Sequence, residues 1–348
     1  MCRSPVALLI CAFSLLLAAC GGSSSLGDNA SSGGDSLTTV GSGPGVTLAA
    51  GDPSFQTDPE VLHEKLVCTP FENLDKEPVL LIHGTFTAGP EQYEWNYLPW
   101  LQAQGFDVCI TTYPNRGLDD MQISAEYVAY AVLKIHQETG RQVDMAGHSQ
   151  GGYMPRWAIK WWPSVQEALD DFVMHASPNH GLILAGLNSD GAKPAAFWQF
   201  RQGSNFEAAL NADDETPGNV DFTSIYTSSD ELVQPAPPLP NPTAELEGGT
   251  NGPQLQNIWL QAVCPGNAAD HVTIGTTDGP TALLTVDAFL NDGPADFDRA
   301  GGLMLCAEPP IADTAPASFQ AAGADSFSGS PEFNNVDEEP PLKPYAQP

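Results

Sequence analysis

Largely apolar segments alternate with helix-like segments along residues 53–310. Residues 78–83 and 106–111 are mostly apolar, which is typical of parallel strands that are buried on both faces. Residues 121–139 place apolar side chains at helical spacing and are followed by Gly140, a residue type that commonly ends helices. Further strands are predicted at 141–146, 172–176 and 222–227, and a further helix at 151–162. This alternation predicts an α/β fold with a mostly parallel sheet and helices on both faces.

We predict one domain over residues 53–348. Two of its segments depart from the alternation of strands and helices. Residues 188–218 are polar and rich in Gly around an apolar piece at 195–200, which predicts a small cap or lid insertion. Residues 312–348 are rich in Pro, Ser, Ala and acidic residues, which predicts a loosely packed C-terminal tail. In open α/β sheets, functional groups gather at the carboxyl ends of the strands, so the catalytic residues are expected there.

The first 19 residues have the layout of a secretory signal. A single basic residue, Arg3, precedes an apolar run at 6–17 that is too short to span a bilayer. Ala-Ala-Cys follows the run, and this ending resembles a bacterial lipoprotein signal in which Cys20 is lipidated and becomes the new N-terminus. The alternative is an ordinary signal with Cys20 incidental. Residues 20–52 are then predicted to be a flexible Gly/Ser tether, so the protein is exported and anchored to the cell envelope, or secreted without the lipid.

Acidic residues dominate the charge. The 348 residues include 43 Asp and Glu against 12 Lys and Arg, which gives a formal net charge of −31. Nucleic acids and anionic lipid surfaces are bound by clustered Lys and Arg, so we predict no nucleic-acid partner and membrane contact only through the lipid anchor. The excess negative charge favours solubility, and we predict a monomer.

Four cysteines remain after those of the signal and the proposed anchor, namely Cys68, Cys109, Cys264 and Cys306. An even number in an exported protein predicts two disulfides, and the order of the cysteines leaves all three pairings open. A metal site is the rival interpretation, but no two of these cysteines have C-x-x-C spacing. We predict neither a metal nor a cofactor.

Residues 147–151 read G-H-S-Q-G, between a predicted strand and a predicted helix. In hydrolases this G-x-S-x-G pattern places the serine on a strained strand-to-helix turn above the sheet, where the glycines relieve crowding. The N–H groups of the first helical turn face the same place. Pro155 lies near the end of that turn and removes at most one hydrogen bond. The pattern arises by chance in many chains, but its strand and helix context predicts Ser149 as a nucleophile.

A nucleophilic serine needs a base, and in this fold class the chain order is Ser, then Asp or Glu, then His. His175 and His180 follow Ser149 too closely to leave room for an acid-bearing strand between them. His271 comes after a further strand and helix and is therefore the predicted base. The alternative is a surface histidine, which would leave Ser149 without a proton acceptor.

Asp230 is the predicted acid, because it follows the strand-like residues 224–227 by a short polar turn. That position lies at the carboxyl end of a strand, at the same edge of the sheet as the serine. Asp221 precedes the strand and would lie at the opposite edge, whereas Glu231 and Asp270 remain less well placed alternatives.

The sequence His83-Gly84-Thr85 follows the first strong strand. In lipases a His-Gly pair at this place opens a loop that donates an N–H to the oxyanion. We predict the backbone N–H groups of Thr85 and Gln150 as the two donors, with the Thr85 hydroxyl as a third. For His83 we favour a structural role in bracing the loop.

Taken together, these segments resemble the family of Candida antarctica lipase B, an α/β-hydrolase lipase. The resemblance runs from about residue 67 to residue 306, with a shorter match near the C-terminus. It rests on residues 78–85, 149–152, 226–235, 261–264, 270–271 and 344–346. These motifs are specific as a set, although no single one is.

The resemblance implies an α/β-hydrolase fold with Ser149, Asp230 and His271 as the catalytic triad. It implies Thr85 and Gln150 as the oxyanion donors. Among the open pairings, it also implies the disulfides Cys68–Cys109 and Cys264–Cys306.

Several positions depart from the family pattern. The family has a Trp before the nucleophile where this chain has His148, and Gln92 replaces a small residue of the same pocket. The predicted substrate pocket comprises Thr87, Gln92, His148, Leu232 and Val233. A third, C-terminal disulfide is missing, and a Pro- and Gly-broken segment after Pro309 replaces a long helix. Stereoselectivity, chain-length preference and lid behaviour therefore do not carry over.

The sequence thus predicts a serine carboxylester hydrolase, a lipase or esterase that acts on acylglycerol-type esters. A polyester depolymerase of the cutinase type is the alternative enzyme. A non-catalytic surface protein on a hydrolase scaffold is the alternative outside enzymes, and the complete set of triad candidates argues against it.

Overall fold

The computed structural model describes residues 37–183, 190–248, 254–313, 315–317, 319–320 and 333–347. The predicted signal peptide and Cys20 lie outside the described residues. In the described residues the strands are β1 (Thr38–Thr39), β2 (Leu66–Cys68), β3 (Val79–Ile82), β4 (Val108–Thr111), β5 (Val143–His148), β6 (Leu169–His175), β7 (Lys193–Pro194), β8 (Asp221–Tyr226), β9 (Leu255–Trp259) and β10 (Asn335–Val336).

Helices connect most of these strands. They are α1 (Pro59–Glu64), α2 (Gly89–Tyr93), α3 (Tyr97–Ala103), α4 (Met121–Thr139), α5 (Gln150–Tyr153), α6 (Pro155–Trp161), α7 (Pro163–Ala168), α8 (Ala195–Gln199), α9 (Asn205–Leu210), α10 (Leu260–Val263), α11 (His271–Ile274) and α12 (Gly279–Phe289). Short 3-10 turns lie at Pro114–Gly117, Gly302–Ala307 and Pro344–Ala346. Within the described residues, no helix is both long and apolar enough to cross a membrane.

Eight of the described strands form one sheet in the order β1-β2-β4-β3-β5-β6-β8-β9. The pairs from β4 through β9 are parallel, and only β1 and β2 add antiparallel strands at one edge. The predicted α/β class and the mostly parallel sheet are confirmed. Because the central strands run in one direction, β5, β6 and β8 all present their carboxyl ends at the same edge.

The core lies on both faces of this sheet. All four residues of β3 are buried. Leu80 and Ile82 pack with α4 in one apolar cluster, while Val79 and Leu81 pack with α3 and α12 in the other. Successive side chains of a strand point to opposite faces, so an uninterrupted apolar run is what two covered faces require.

The helix predicted at 151–162 is divided at Pro155. Helix α5 stops at Tyr153, and α6 begins with Pro155. Met154 between them keeps helical angles (φ −66°, ψ −35°), so the chain continues in nearly the same conformation although Pro155 cannot donate a hydrogen bond. A real break comes at Trp162, whose extended backbone separates α6 from α7.

The tether predicted at 20–52 is ordered over its described part, residues 37–52. Thr38 and Thr39 pair with β2, and Val40 is buried. The hydroxyl of Tyr130 donates to the carbonyl of Pro44 at 3.0 Å. Apolar residues interrupt the Gly/Ser composition in this part and pack onto the body.

The tail predicted at 312–348 is also more closely packed than expected over its last described part. Residues 333–347 contact the body, and Ala346 is buried. Trp157 donates its indole N–H to the Tyr345 hydroxyl at 3.2 Å. The amide of Gln122 donates to the carbonyl of Pro341 at 3.1 Å. Composition alone did not reveal these few anchoring side chains.

The segment predicted as a cap, 188–218, contains β7, α8 and α9 in its described part. The ring of Phe197 in α8 lies edge-on to Phe86, with centroids 6.1 Å apart. Phe86 directly follows Thr85, so this segment lies beside the predicted oxyanion loop. Its role as a lid stays a prediction.

Candidate active site

Ser149 occupies the turn between β5 and α5. Its backbone has φ 56° and ψ −120°, a conformation that residues other than glycine rarely adopt. The N–H of Ser149 donates to the carbonyl of His175 at 2.8 Å, which fixes the turn against the neighbouring strand β6. Strain of this kind persists only where the surroundings enforce it, and it is the backbone that G-x-S-x-G turns require.

The two glycines of the motif are needed because backbone passes very close to them. A Cβ on Gly147 would lie 1.8 Å from the carbonyl oxygen of Gly151. A Cβ on Gly151 would lie 2.2 Å from the carbonyl oxygen of Ile82 in β3. Neither backbone atom can rotate away, so any larger residue would displace the turn that carries Ser149.

The structure brings the three predicted triad residues together at the carboxyl edge of the sheet. Nε2 of His271 lies 3.1 Å from Oγ of Ser149. Nδ1 of His271 lies 2.9 Å from Oδ2 of Asp230. The other carboxylate oxygen, Oδ1, accepts the N–H groups of Leu232 at 2.9 Å and Val233 at 2.7 Å. The hydroxyl, the imidazole and the carboxylate therefore form one hydrogen-bonded chain.

The alternative acids have other partners. Asp270 caps α11, where its carboxylate accepts the backbone N–H of Thr273 at 2.8 Å. Glu231 accepts the backbone N–H of His271 at 3.3 Å through Oε2 and does not contact the ring nitrogens. Asp221 lies at the amino end of β8, at the opposite edge. Of these carboxylates, only Asp230 has a hydrogen bond to the imidazole.

The charge of Asp230 decides the basicity of His271. Burial lowers the pKa of the imidazole, but the negative charge and the hydrogen bond of Asp230 outweigh it, and Glu231 and Asp270 add to the effect. The pKa of His271 is therefore raised above its usual value of 6.5. A raised pKa makes the neutral imidazole a stronger base towards the serine proton.

The loop predicted to hold the oxyanion donors lies against the same turn. The hydroxyl of Thr85 donates to the side-chain oxygen of Gln150 at 3.2 Å, so the two predicted donor residues are linked to each other. Gln150 also donates its side-chain amide to the carbonyl of Gly117 at 2.9 Å. It is the first residue of α5, so its backbone N–H has no partner inside that helix.

His83 contributes to this loop as a structural residue. Its ring is buried and stacks on Tyr113 with centroids 3.9 Å apart. Its Nδ1–H donates to the carbonyl of Gly84 at 2.8 Å. Burial lowers the pKa of His83 to about 3, so it stays neutral at ordinary pH. The bracing role that we favoured from the sequence agrees with these contacts.

Three of the five residues predicted for the substrate pocket are hydrogen-bonded to one another. Oε1 of Gln92 accepts the N–H of Gly84 at 2.9 Å and the hydroxyl of Thr87 at 2.8 Å. Its Nε2 must then donate to Nδ1 of His148, 3.2 Å away. It follows that Nε2 of His148 carries the proton and donates to the carbonyl of His271 at 2.7 Å.

The network therefore ends on the backbone of the predicted base. The rings of His148 and His271 lie 4.9 Å apart. Burial lowers the pKa of His148, and the neighbouring His271 lowers it further, so only one ring of the pair is basic. The other two predicted pocket residues, Leu232 and Val233, hold Asp230 through their backbones. The pocket itself stays a prediction.

The other two histidines that follow Ser149 have different partners. Nε2 of His175 lies 2.9 Å from the hydroxyl of Thr285 in the core, and burial lowers its pKa to about 3. Nε2 of His180 lies 2.9 Å from a carboxylate oxygen of Glu215, which raises its pKa. Neither imidazole has a hydrogen bond to the serine among the described contacts.

Both disulfides implied by the resemblance are present. Cys68–Cys109 ties β2 to β4, and Cys264–Cys306 ties the end of α10 to a later 3-10 turn. Disulfides of this kind persist in oxidising compartments outside the cytosol.

Comparison with known proteins agrees with the geometry. Residues 76–248 match the family described as class 2 lipases. Lipase B of Pseudozyma antarctica is 28% identical over 312 residues, which is 85% of this chain and 87% of that protein. The crystal structure of Aspergillus fumigatus lipase B superposes with a TM-score of 0.78 at 25% identity, covering 92% of this chain and 77% of that one. The chain is therefore similar to class 2 lipases over residues 76–248 and to fungal lipase B over most of its length.

This similarity supports the predicted enzyme class, a carboxylic ester hydrolase. The sequence missed one feature of the candidate site, the contact from His148 to the carbonyl of His271. No local signal in the sequence joins these residues, which lie 123 positions apart.

Proposed function

We propose that this lipase B-like protein is an exported serine hydrolase that cleaves carboxylic esters of the acylglycerol type through an acyl-enzyme on Ser149. The chain of hydrogen bonds from Ser149 through His271 to Asp230 carries the proposal. The raised pKa of His271 and the strained backbone of Ser149 support it, because both are what an activated serine requires.

The proposed reaction has two halves. Nε2 of His271 takes the proton of Ser149 while Oγ attacks the ester carbonyl carbon and a tetrahedral oxyanion forms. The imidazolium then gives that proton to the leaving alkoxide, and the alcohol departs. In the second half, water attacks the acyl-enzyme with His271 as its base; the imidazolium then returns the proton to Oγ of Ser149 as the carboxylic acid leaves.

The remaining residues hold charge and position. Asp230 accepts a hydrogen bond from Nδ1–H, which keeps Nε2 free to take the serine proton and stabilises the imidazolium. The backbone N–H groups of Thr85 and Gln150 donate to the oxyanion. Each such donor contributes about a hundred- to a thousandfold in rate in comparable enzymes.

Export and anchoring complete the proposal. The two disulfides favour an oxidising compartment outside the cytosol. A lipid on Cys20 would then hold the catalytic body near a membrane through the residues that precede β1. Tandem mass spectrometry of the mature N-terminus tests this step, because an unmodified terminus or cleavage elsewhere would rule out the anchor.

The enzymatic step is tested with p-nitrophenyl esters of increasing acyl length, emulsified triglyceride and solid polyester. We expect hydrolysis of the soluble esters and of the triglyceride, with Ser149→Ala reduced to background. Ser164→Ala serves as the matched control, because its hydroxyl lies at the start of α7, away from the site. Turnover that survives Ser149→Ala would refute the mechanism, and faster release from polyester than from triglyceride would favour the depolymerase.

A further inference from the structure

Three aspartates meet at the edge of the sheet opposite to Ser149. Asp144 is the second residue of β5, and Asp170 and Asp171 are the second and third residues of β6. One carboxylate oxygen from each of the three lies within 4.8 Å of the others. Because β5 runs from Asp144 towards Ser149, this group lies at the amino end of the strands and is separate from the proposed ester site.

An irregular pairing explains how two consecutive residues can face one point. Neighbouring side chains of a regular strand point to opposite faces. The register shifts between β5 and β6. Residues 143–145 of β5 pair with residues 169–172 of β6, so β6 contains one extra residue at this point. A bulge of this kind redirects side chains, and here Asp170 and Asp171 both lie opposite Asp144.

The group includes buried carboxylate oxygens that have no hydrogen-bond partner in the part of the chain that the structure describes. Asp144 is fully buried, and neither of its carboxylate oxygens has a hydrogen-bond partner among the described residues. Asp171 is only 2% exposed, and its Oδ1 likewise has none there. The backbone N–H of Asp171 approaches the carboxylate of Asp144 without reaching hydrogen-bond geometry. A buried polar group left unpaired destabilises the fold, and more so when it is charged.

Nearby charges make the cost larger. Glu77, Asp221 and Asp292 add negative charge around Asp170. The positive charge of Arg299 reaches Asp171, but its guanidinium already pairs with Asp287 at 2.9 Å. Neighbouring negative charges repel one another strongly in a poorly hydrated environment. The described side chains around the group therefore do not neutralise it.

We propose that Asp144, Asp170 and Asp171 bind one Ca²⁺ ion. The donors are all hard carboxylate oxygens, which suit Ca²⁺ and Mg²⁺ and are poor ligands for soft metals. Ca²⁺ accepts six to eight oxygen ligands in flexible geometry at about 2.3–2.6 Å, whereas Mg²⁺ demands a near-ideal octahedron. Asp170 is half-exposed, so the ion can enter from solvent and complete its shell with water. Bound there, the ion ties β5 to β6 and stabilises the fold.

The test measures binding and stability of the wild-type protein after dialysis against a chelator. Isothermal titration with CaCl₂ should show one ion per chain. The melting temperature should rise by roughly 5–10 °C when free Ca²⁺ exceeds its dissociation constant 100-fold, with a smaller rise for Mg²⁺. Ester hydrolysis well below the melting temperature should not depend on Ca²⁺, which separates this proposal from the proposed function.

The variants Asp144→Asn and Asp170→Asn should each lose the Ca²⁺-dependent rise and at least tenfold in affinity. Asp170→Asn changes a half-exposed side chain, so it keeps the test valid if the buried substitution prevents folding. Asp75→Asn is the matched control, because it removes the same charge from an exposed position and should leave binding unchanged. Failure of the wild-type protein to bind Ca²⁺, or equal binding by Asp170→Asn, would overturn the proposal and indicate carboxyl groups neutralised by protons instead.

Discussion

Replacement of Asp230 by Asn changes the position of one proton on His271. Oδ1 of the carboxylate accepts two backbone N–H groups at 2.7 and 2.9 Å, and an Asn oxygen would stay in that place. The Asn amide would then donate towards Nδ1 of His271. The ring proton would move to Nε2, the atom that lies 3.1 Å from Oγ of Ser149. In this tautomer the imidazole cannot accept the serine proton.

The expected loss of kcat is about 10⁴-fold, because the wrong tautomer has this effect in serine proteases with the same constellation. That factor corresponds to roughly 5 kcal/mol of transition-state stabilisation. The pH dependence should change as well. The raised pKa of His271 means that wild-type activity falls as the pH drops through that pKa and the base becomes protonated. Without the charge of Asp230 the pKa of His271 falls, so the residual activity of the variant should persist to lower pH.

The assay is the pH–rate profile of kcat for a p-nitrophenyl ester, with Glu231→Gln as the matched control. Glu231 accepts the backbone N–H of His271, and Gln retains an oxygen for that bond, so its kcat should stay within about tenfold of the wild type. Thermal unfolding of both variants verifies that they fold. The reasoning is refuted if Asp230→Asn keeps more than a tenth of the activity, or if Glu231→Gln loses as much as Asp230→Asn does.

Three further changes have outcomes that follow from the structure. Replacing both Cys264 and Cys306 by Ser should lower the free energy of unfolding in urea by roughly 4 kcal/mol, given a sequence separation of 42 residues; no loss would show that the bridge is not formed. Gly147→Ala should abolish activity or folding because of the 1.8 Å contact, whereas Gly43→Ala, whose Cβ would have no described atom within 4 Å, should behave as wild type in the same ester assay. His148→Phe should destabilise the protein by about 1–3 kcal/mol in urea unfolding, because the His271 carbonyl and the Gln92 amide lose their partner; equal stability would contradict the hydrogen-bonded network.

The sequence predicted those parts of the site that depend on a local motif or on a position at the end of a strand. Ser149 could be predicted because its strand, turn and helix are contiguous in the sequence and the turn carries its own glycines. Asp230 and His271 required a different argument, namely that parallel strands gather their carboxyl ends at one edge. The structure joins His271 to Ser149 and Asp230 to His271, whereas the alternative carboxylate of Asp270 is a helix cap.

The parts that the sequence did not predict depend on contacts between distant side chains. Residues 37–52 and 333–347 have the composition of flexible segments, yet a few apolar or aromatic side chains in each find places on the body. The aspartate group depends on a register shift between β5 and β6, which no single-strand pattern reveals. A buried charge inside an apolar strand, as at Asp144, is the signal that could have directed attention there.

The cooperation of Ser149 with His271 is the central claim, and covalent labelling tests it most directly. The folded protein is incubated with a fluorophosphonate, and the labelled peptide is identified by mass spectrometry as a function of time. The account predicts one modified residue, Ser149, with labelling slowed by at least about a hundredfold in His271→Ala, because a general base typically contributes 10²–10⁴-fold. Modification at a different residue, or labelling of Ser149 at an unchanged rate in His271→Ala, would contradict it.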